Sequence, residues 1–470
     1  MRLHPSQVIF SAMRPGRLSN ADLASDLPLA WLHDVDRQFG AARKAGSSDD
    51  GLYMVNDSAM AIVESGELVI SCPRCRGTAA ARCCWPMFEA RWALPIAYEF
   101  DCCEPLRLFV GLQPTRCVGV YWPERNVVVS TLDYENDALR LDWGPAFFDT
   151  LIRYLRFLEE RFPMSMNDSW TRRPVTVFAG FHPNMGHYVR EELAAVLTVA
   201  RRTRADSNLR ILVGPHDWFG LADTVANVQP LENRRREDPS IAVLRHVRTS
   251  GALVTRLTTS EHVPRWFAAE VAQHCKKSRS ALIEAYQRRL RDRWPVLWIT
   301  LREGNRVWAN AAEALVTCLR TLADTHPALA VIVDGMPNVR PIWERIRSEL
   351  PACVKQFDMI GRTIEDAVAL FDLATLFVMP YGNSATFGYF HDVPGVIHGQ
   401  RELAVEGDYA AFVRRCDPPY VRFVGGDRVV TGSIDRDLHP LKCTYHISAD
   451  AMLREVSVIL NRCSPVRECA

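Results

Sequence analysis

From Trp294 to Gly399, short apolar runs alternate with longer segments whose apolar residues recur at helical spacing. The first run, Trp294 to Leu301, ends in the polar turn Arg302-Glu-Gly-Asn-Arg306. Val307, Ala311, Leu315, Leu319 and Leu322 then fall on one helix face. The pattern returns at Leu329 to Asp334, followed by Gly335 and a helix near Ile342 to Leu350. It returns again at Val354 to Ile360, where Thr363-Ile-Glu-Asp366 reads as a helix start capped by Thr363. Thr375 to Met379 and Val393 to His398 supply two more strands. Strands alternating with helices predict a parallel sheet covered on both faces.

In such a sheet ligands sit outside the carboxyl ends of the strands. The residues there are Arg302, Asn305 and Arg306 after the first strand, Asp334 and Gly335 after the second, and Gly361 to Thr363 after the third. Gly382-Asn-Ser384-Ala-Thr386 follows the fourth and His398 closes the fifth. This rim is basic, small and hydrogen-bonding. Guanidinium groups fork onto phosphate oxygens, and loops of small residues present backbone N–H groups to anions. Arg302, Asn305, Arg306, Gly382, Ser384, Thr386 and His398 are therefore the candidate contacts for a nucleotide diphosphate.

A second α/β pattern starts at Pro174 to Ala179 and continues through a helical segment, Tyr188 to Arg201, to strands at Leu209 to Val213 and Ala252 to Leu257. His182, His187, His216 and Asp217 stand at its strand ends, with His187 the candidate catalytic base. Before it, Leu52 to Asp133 alternates in short β-like runs, closed by a helix from about Ala146 to Phe162. The expected organisation is a β-rich region over 1–165, Rossmann-like domains over 174–292 and 293–400, and a C-terminal extension over 401–470.

Composition narrows the classes. In 470 residues, 56 basic against 55 acidic side chains leave a formal net charge of +1, which offers no general attraction to nucleic acid. Five Lys against 51 Arg is a coding skew that lowers the weight of any single Arg. No stretch approaches the apolar length of a membrane span and no export signal opens the chain, so a cytoplasmic location is expected. The basic end of the segment Val263 to Arg293 is a candidate peripheral contact with the inner membrane.

Fourteen Cys without an export signal are expected to be thiols. Cys72-Pro-Arg-Cys75 has knuckle spacing, but Cys83-Cys84 and Cys102-Cys103 are adjacent pairs whose side chains should diverge, so buried thiols and no zinc are expected. Asp34-Val-Asp36 lies outside both α/β patterns and is read as helix surface.

Asn184-Met-Gly-His-Tyr188, Val213-Gly-Pro-His216, Ile299 to Trp308, Val333-Asp-Gly335 and Pro394-Gly-Val-Ile-His398, in that order, resemble GT-B nucleotide-sugar glycosyltransferases. Among these the likeness is to enzymes of bacterial capsule, O-antigen and exopolysaccharide synthesis. The resemblance covers roughly residues 174 to 400. It implies an α/β fold of two Rossmann-like domains facing a cleft, preceded here by the β-rich region. It also implies hexosyl or related transfer from a nucleotide-diphosphate sugar to a saccharide or lipid-linked acceptor, with no metal and no cofactor. The sequence departs from the wider family in two ways. The paired Glu of many retaining members is missing, since Asp392 is the one acidic residue between Asp372 and Glu402, and the Gly-rich donor loop is replaced by Gly382 to Thr386. A catalytically inactive scaffold of the same fold is the alternative. A dinucleotide oxidoreductase is disfavoured because no strand is followed by G-x-G-x-x-G.

Overall fold

The computed structural model describes residues 8–11, 14–17, 35, 57–87, 95–111, 116–125, 127–130, 145–163, 173–181, 184–202, 209–220, 228–230, 239–257, 265–382, 387–400, 420–424, 429–431 and 444–463. It is mixed α/β with parallel sheets, and the chain divides into two compact units, Met1–Glu261 and His262–Ala470. No helix among the described residues is long and apolar enough to cross a membrane.

The first unit holds two sheets. Eight antiparallel strands, β1 (Val8–Ser11), β2 (Arg14–Arg17), β3 (Val69–Ser71), β4 (Thr78–Pro86), β5 (Ile96–Asp101), β6 (Pro105–Gly111), β7 (Arg116–Trp122) and β8 (Val127–Ser130), run in the order β2-β1-β8-β7-β6-β5-β4-β3. From β3 to β8 each strand pairs with the next, so the sequence pattern of short runs and turns becomes a meander. One face buries Trp85, Ala97, Phe109, Tyr121 and Val128 against Phe148, Leu151, Ile152, Leu155 and Leu158 of the helix Pro145–Arg161.

Strands β9 (Val175–Ala179), β10 (Leu209–Val213), β11 (Val228–Pro230) and β12 (Leu253–Thr255) form a parallel sheet in the order β11-β10-β9-β12. All of β9 is buried, as its unbroken apolar run requires. The two sheets belong to one unit because β12 bonds to the meander. The Tyr98 hydroxyl donates to the Val254 carbonyl at 2.9 Å, and the Val254 N–H donates to Cys84 Sγ at 3.3 Å. Both bonds are buried, so parting the sheets would strand polar groups.

The second unit is a six-stranded parallel sheet: β13 (Val296–Thr300), β14 (Ala330–Asp334), β15 (Lys355–Asp358), β16 (Leu376–Pro380), β17 (Gly395–His398) and β18 (Val421–Val424), in the order β15-β14-β13-β16-β17-β18. The five expected strands are all present. On one face Leu297, Ile299 and Val331 pack against the helices Ala311–Thr325, Arg340–Glu349 and Ala449–Cys463. On the other Trp298 packs on Phe371 of the helix Ile364–Phe371, with ring centroids 4.9 Å apart. Thr363 caps that helix as its sequence predicts, its Oγ1 accepting from the Asp366 N–H at 3.2 Å.

The units divide ahead of the boundary expected at 292/293. The helices Arg265–Lys277 and Ala281–Leu290 pack on the second unit. Asp366 there accepts from the Ser280 backbone N–H at 3.2 Å and from its hydroxyl at 3.1 Å. The segment 401–470 is likewise more than an extension. It supplies the edge strand β18 and a hairpin of β19 (Val429–Thr431) with β20 (Tyr445–Ile447), and its helix Ala449–Cys463 covers the sheet.

Candidate functional site

The strand order of the second unit reverses between β13 and β16. A parallel sheet wound this way opens a crevice outside the carboxyl ends of those two strands. Arg302 and Arg306 follow β13, and Tyr381 and Gly382 follow β16, so the topology alone brings these two stretches of chain together.

The side chains meet there. A Cβ at Gly382 would stand 2.5 Å from Arg306 Nη1 and 2.6 Å from Arg302 Nη1, so both guanidinium tips occupy the space a side chain would fill. Arg302 is held from behind, its Nε donating to Asn305 Oδ1 at 2.7 Å. Arg306 Nη1 donates to the Tyr381 carbonyl at 3.0 Å, with its guanidinium carbon 5.0 Å from the centroid of the Tyr381 ring. Arg306 has a left-handed backbone at φ 53, a conformation that costs a non-glycine residue about 1 kcal/mol. The loop accepts that cost to aim the side chain.

Burial, and then the neighbouring charge of Arg306, push the Arg302 guanidinium down to about 10. Its described partners are Asn305, Arg306 and Tyr445, and none is a carboxylate. Two cations brought together under partial burial repel each other, and an anion forked between them relieves the repulsion.

Tyr445 was missed in the sequence. Strand β20 docks beside the 302–310 loop, with the Tyr445 N–H donating to the Val307 carbonyl at 3.0 Å and the Ala309 N–H to the Tyr445 carbonyl at 2.8 Å. Burial raises the Tyr445 phenol, and the charges of Arg302 and Arg306 work in the opposite direction, so it stays protonated beneath the pair.

His398, expected on the rim, is 3 % exposed. Its Nδ1 lies 2.8 Å from the Tyr445 hydroxyl and its ring packs edge-on to Trp308. It supports the rim through Tyr445 and has no face to offer a ligand. Burial pushes its pKa down to about 3. Asp334, half-buried at the end of β14, is pushed up to about 6 by burial, against the pull of the Gly335 N–H. Ser384 and Thr386 lie outside the described residues.

The first unit handles the equivalent crevice differently. Glu192 is fully buried in a π-helical stretch, Tyr188–Leu193, and its Oε2 accepts from the Gly180 N–H at 2.9 Å and the Phe181 N–H at 3.2 Å. Arg256, just past β12, lies 4.0 Å from the other oxygen. The N–H groups that would greet an anion after β9 are thus already bonded to a carboxylate of the chain itself. His187 ends the first helical turn, half-buried, its N–H donating to the capping Asn184 Oδ1 at 3.3 Å. His216 is half-buried beside Trp218, and burial lowers its pKa. His182 lies outside the described residues.

Away from both crevices, Cys72, Cys75, Cys102 and Cys103 bring their sulfurs within 4.8 Å of one another. The expectation that adjacent cysteines diverge fails for Cys102 and Cys103. They lie in the turn between β5 and β6, where consecutive side chains are not forced to opposite faces of a sheet.

Gly382→Ala tests the rim directly. The tips it displaces end flexible side chains, so they should swing aside and the anion site should open. Its φ of 147° adds strain of about 1 kcal/mol. Calorimetric titration should show nucleoside diphosphate affinity falling at least about ten-fold, with the melting temperature lowered by only a few degrees. Unchanged affinity would mean the two guanidinium groups do not act together.

No family model matches the chain, and no curated protein matches it. Over 61% of its length the chain is similar to the structure of a glycosyl transferase family 9 protein from Veillonella parvula, at 10% identity and TM-score 0.38, covering 97% of that chain. Over 61% it is also similar to ADP-heptose LPS heptosyltransferase II of E. coli, at 15% identity and TM-score 0.36, covering 98% of that chain. A UDP-GlcNAc 2-epimerase from Neisseria meningitidis aligns with 61% of this chain and 91% of its own, at 10% identity and TM-score 0.35. Likeness at these scores assigns neither a fold nor an activity.

Proposed function

We propose that this protein transfers a sugar from a nucleotide-diphosphate sugar to a saccharide or lipid-linked acceptor, in the synthesis of a bacterial surface polysaccharide. One observation carries the reading: Arg302 and Arg306 converge over Gly382 at the switch point of the second sheet. A leaving nucleoside diphosphate gathers negative charge as the glycosidic bond breaks, and donors already aimed at that position stabilise the transition state. The donor phosphates belong to the second unit, because the corresponding N–H groups of the first are bonded to Glu192.

The acceptor hydroxyl needs a base, and His187, at the end of the short helix Met185–His187 that follows β9, is the residue we assign to it. A neutral imidazole within hydrogen-bond reach of the acceptor hydroxyl can take its proton as general base. His187→Ala should lose turnover by about a hundred-fold or more while keeping donor affinity and melting temperature. A variant that unfolds, or that retains full activity, would make His187 a structural residue.

A thermal-shift panel of nucleotide sugars, followed by assays of donor hydrolysis and transfer, tests the reading as a whole. A ligand at a hundred times its dissociation constant adds about 2.7 kcal/mol, a readable shift. Binding with turnover supports a transferase, and binding without turnover supports the inactive scaffold. No binding by any nucleotide sugar removes the proposal.

A further inference from the structure

A meander places alternate turns at the same end of its sheet. The β3–β4 turn, residues 72–77, and the β5–β6 turn, residues 102–104, are therefore neighbours although β4 and β5 separate them in the chain. Each turn carries two cysteines. Cys72 Sγ lies 3.5 Å from Cys103 Sγ, Cys75 Sγ lies 3.2 Å from Cys102 Sγ, and all four sulfurs fall within 4.8 Å of one another. Thiolates arranged tetrahedrally around zinc at about 2.3 Å stand about 3.8 Å apart. A cluster of several irons would spread its ligands more widely than this.

Burial does not account for the group. Cys83 and Cys84, one strand away, are buried, as small apolar thiols usually are, but Cys75, Cys102 and Cys103 are exposed. Three exposed thiols gathered at one point gain nothing from the hydrophobic effect.

The turn is also shaped for a ligand. The Cys72 N–H donates to the Gly77 carbonyl at 2.7 Å and the Arg76 N–H to the Cys72 carbonyl at 3.0 Å, which folds the chain back on itself. Arg76 takes a left-handed backbone at φ 58, turning the chain so that the Gly77 N–H points at Cys75 Sγ, 3.4 Å away. An N–H aimed at sulfur is the outer hydrogen bond that a metal-bound cysteine accepts, and it fixes the direction in which the sulfur points.

Glu104, 8 % exposed, ties the turns together without joining the sulfurs. Its carboxylate takes Arg74 Nη1 at 3.5 Å and Arg125 Nη2 at 3.2 Å. Arg74 and Arg76, in the same turn as two of the thiols, supply positive charge beside a centre of four thiolates and one divalent cation, whose net charge is negative.

We propose that Cys72, Cys75, Cys102 and Cys103 hold one zinc ion in a closed, structural tetrathiolate site that joins the β3–β4 hairpin to the β5–β6 hairpin. Four Zn–S bonds form on loading, and the protons of thiols not already ionised pass to solvent. With four protein ligands no position remains for water or substrate, so the ion holds the sheet and takes no part in transfer.

The test is elemental analysis of the full chain, purified under reducing conditions without chelator and then incubated with zinc chloride and dialysed. One equivalent of zinc is expected. Cys102→Ser and Cys103→Ser should each lose at least half of it, and Cys83→Ser should keep it. Should the serine variants fail to fold, wild-type protein stripped of metal and titrated with cobalt chloride provides the second reading. The visible bands of tetrahedral cobalt thiolate should rise and saturate at one equivalent. Failure to retain zinc together with absence of the cobalt bands would overturn the proposal. So would iron in the purified chain in place of zinc, or a full equivalent of zinc in the folded Cys102→Ser and Cys103→Ser proteins.

Discussion

Replacing Arg302 with Ala is expected to weaken nucleoside diphosphate binding about ten- to a hundred-fold, the equivalent of a charge-assisted hydrogen bond worth about 1.5–3 kcal/mol. The geometry makes the loss specific. Arg302 is half-buried, its Nε is bonded to Asn305, and its terminal nitrogen stands with that of Arg306 over Gly382. Fixing Nε in this way leaves the terminal nitrogens to present one planar edge, which a carboxylate or phosphate meets with two parallel bonds. Lys at the same position has a point charge and no Nε for Asn305, so Arg302→Lys should recover little. Removing Arg302 also relieves its repulsion with Arg306, so the fold should be no less stable and the loss should appear in binding alone. Titration calorimetry on both variants, with melting curves to establish folding, is the measurement. Unchanged affinity in both would take the donor phosphates away from the β13–β16 crevice.

The four inner strands of the second unit, β13, β14, β16 and β17, were legible because each is a largely buried apolar run bounded by turn residues, whereas the edge strand β15, with Phe357 alone buried, followed from the alternation of strand and helix around it. The rim followed from the same pattern, since Arg302, Arg306 and Gly382 simply end strands. The sixth strand was not legible. Val421-Arg-Phe-Val424 lies at the sheet edge with three of its four residues half-buried, so it carries neither an unbroken apolar run nor a clean alternation. Tyr445 was beyond reach for another reason: its place beneath the guanidinium pair depends on backbone bonds to Val307 and Ala309, far away in sequence. Pairing Cys72 with Cys103 required knowing that the runs between them form a meander, because in an extended strand the adjacent cysteines would diverge.

Acid should loosen the second unit through His398 before most carboxylates titrate. An exposed or unfolded histidine protonates near pH 6.5, whereas burial holds His398 neutral down to about pH 3. Between those values the unfolded chain binds a proton that the folded chain does not, so the stability present above pH 6.5 falls steadily as the pH drops through this window. Each pH unit across it removes about 1.36 kcal/mol, and the contribution lost by pH 3 is about 4 kcal/mol. Asp334 acts in the opposite sense. Its carboxyl, raised to about 6 in the fold, takes up its proton there first and returns part of that stability between about pH 6 and its ordinary value of 3.8. The histidine is isolated by comparison with His398→Gln, whose amide can bond the Tyr445 hydroxyl but does not titrate. At pH 8 the variant should be the less stable protein, having lost the ring contact with Trp308. Its urea midpoint should then fall less steeply than that of wild type between pH 6.5 and 4. The ring resonance of His398, assigned by its disappearance in the variant, should not titrate above pH 5. A titration near pH 6.5, or parallel stability curves for the two proteins, would place His398 in contact with water and remove it as the support beneath Tyr445.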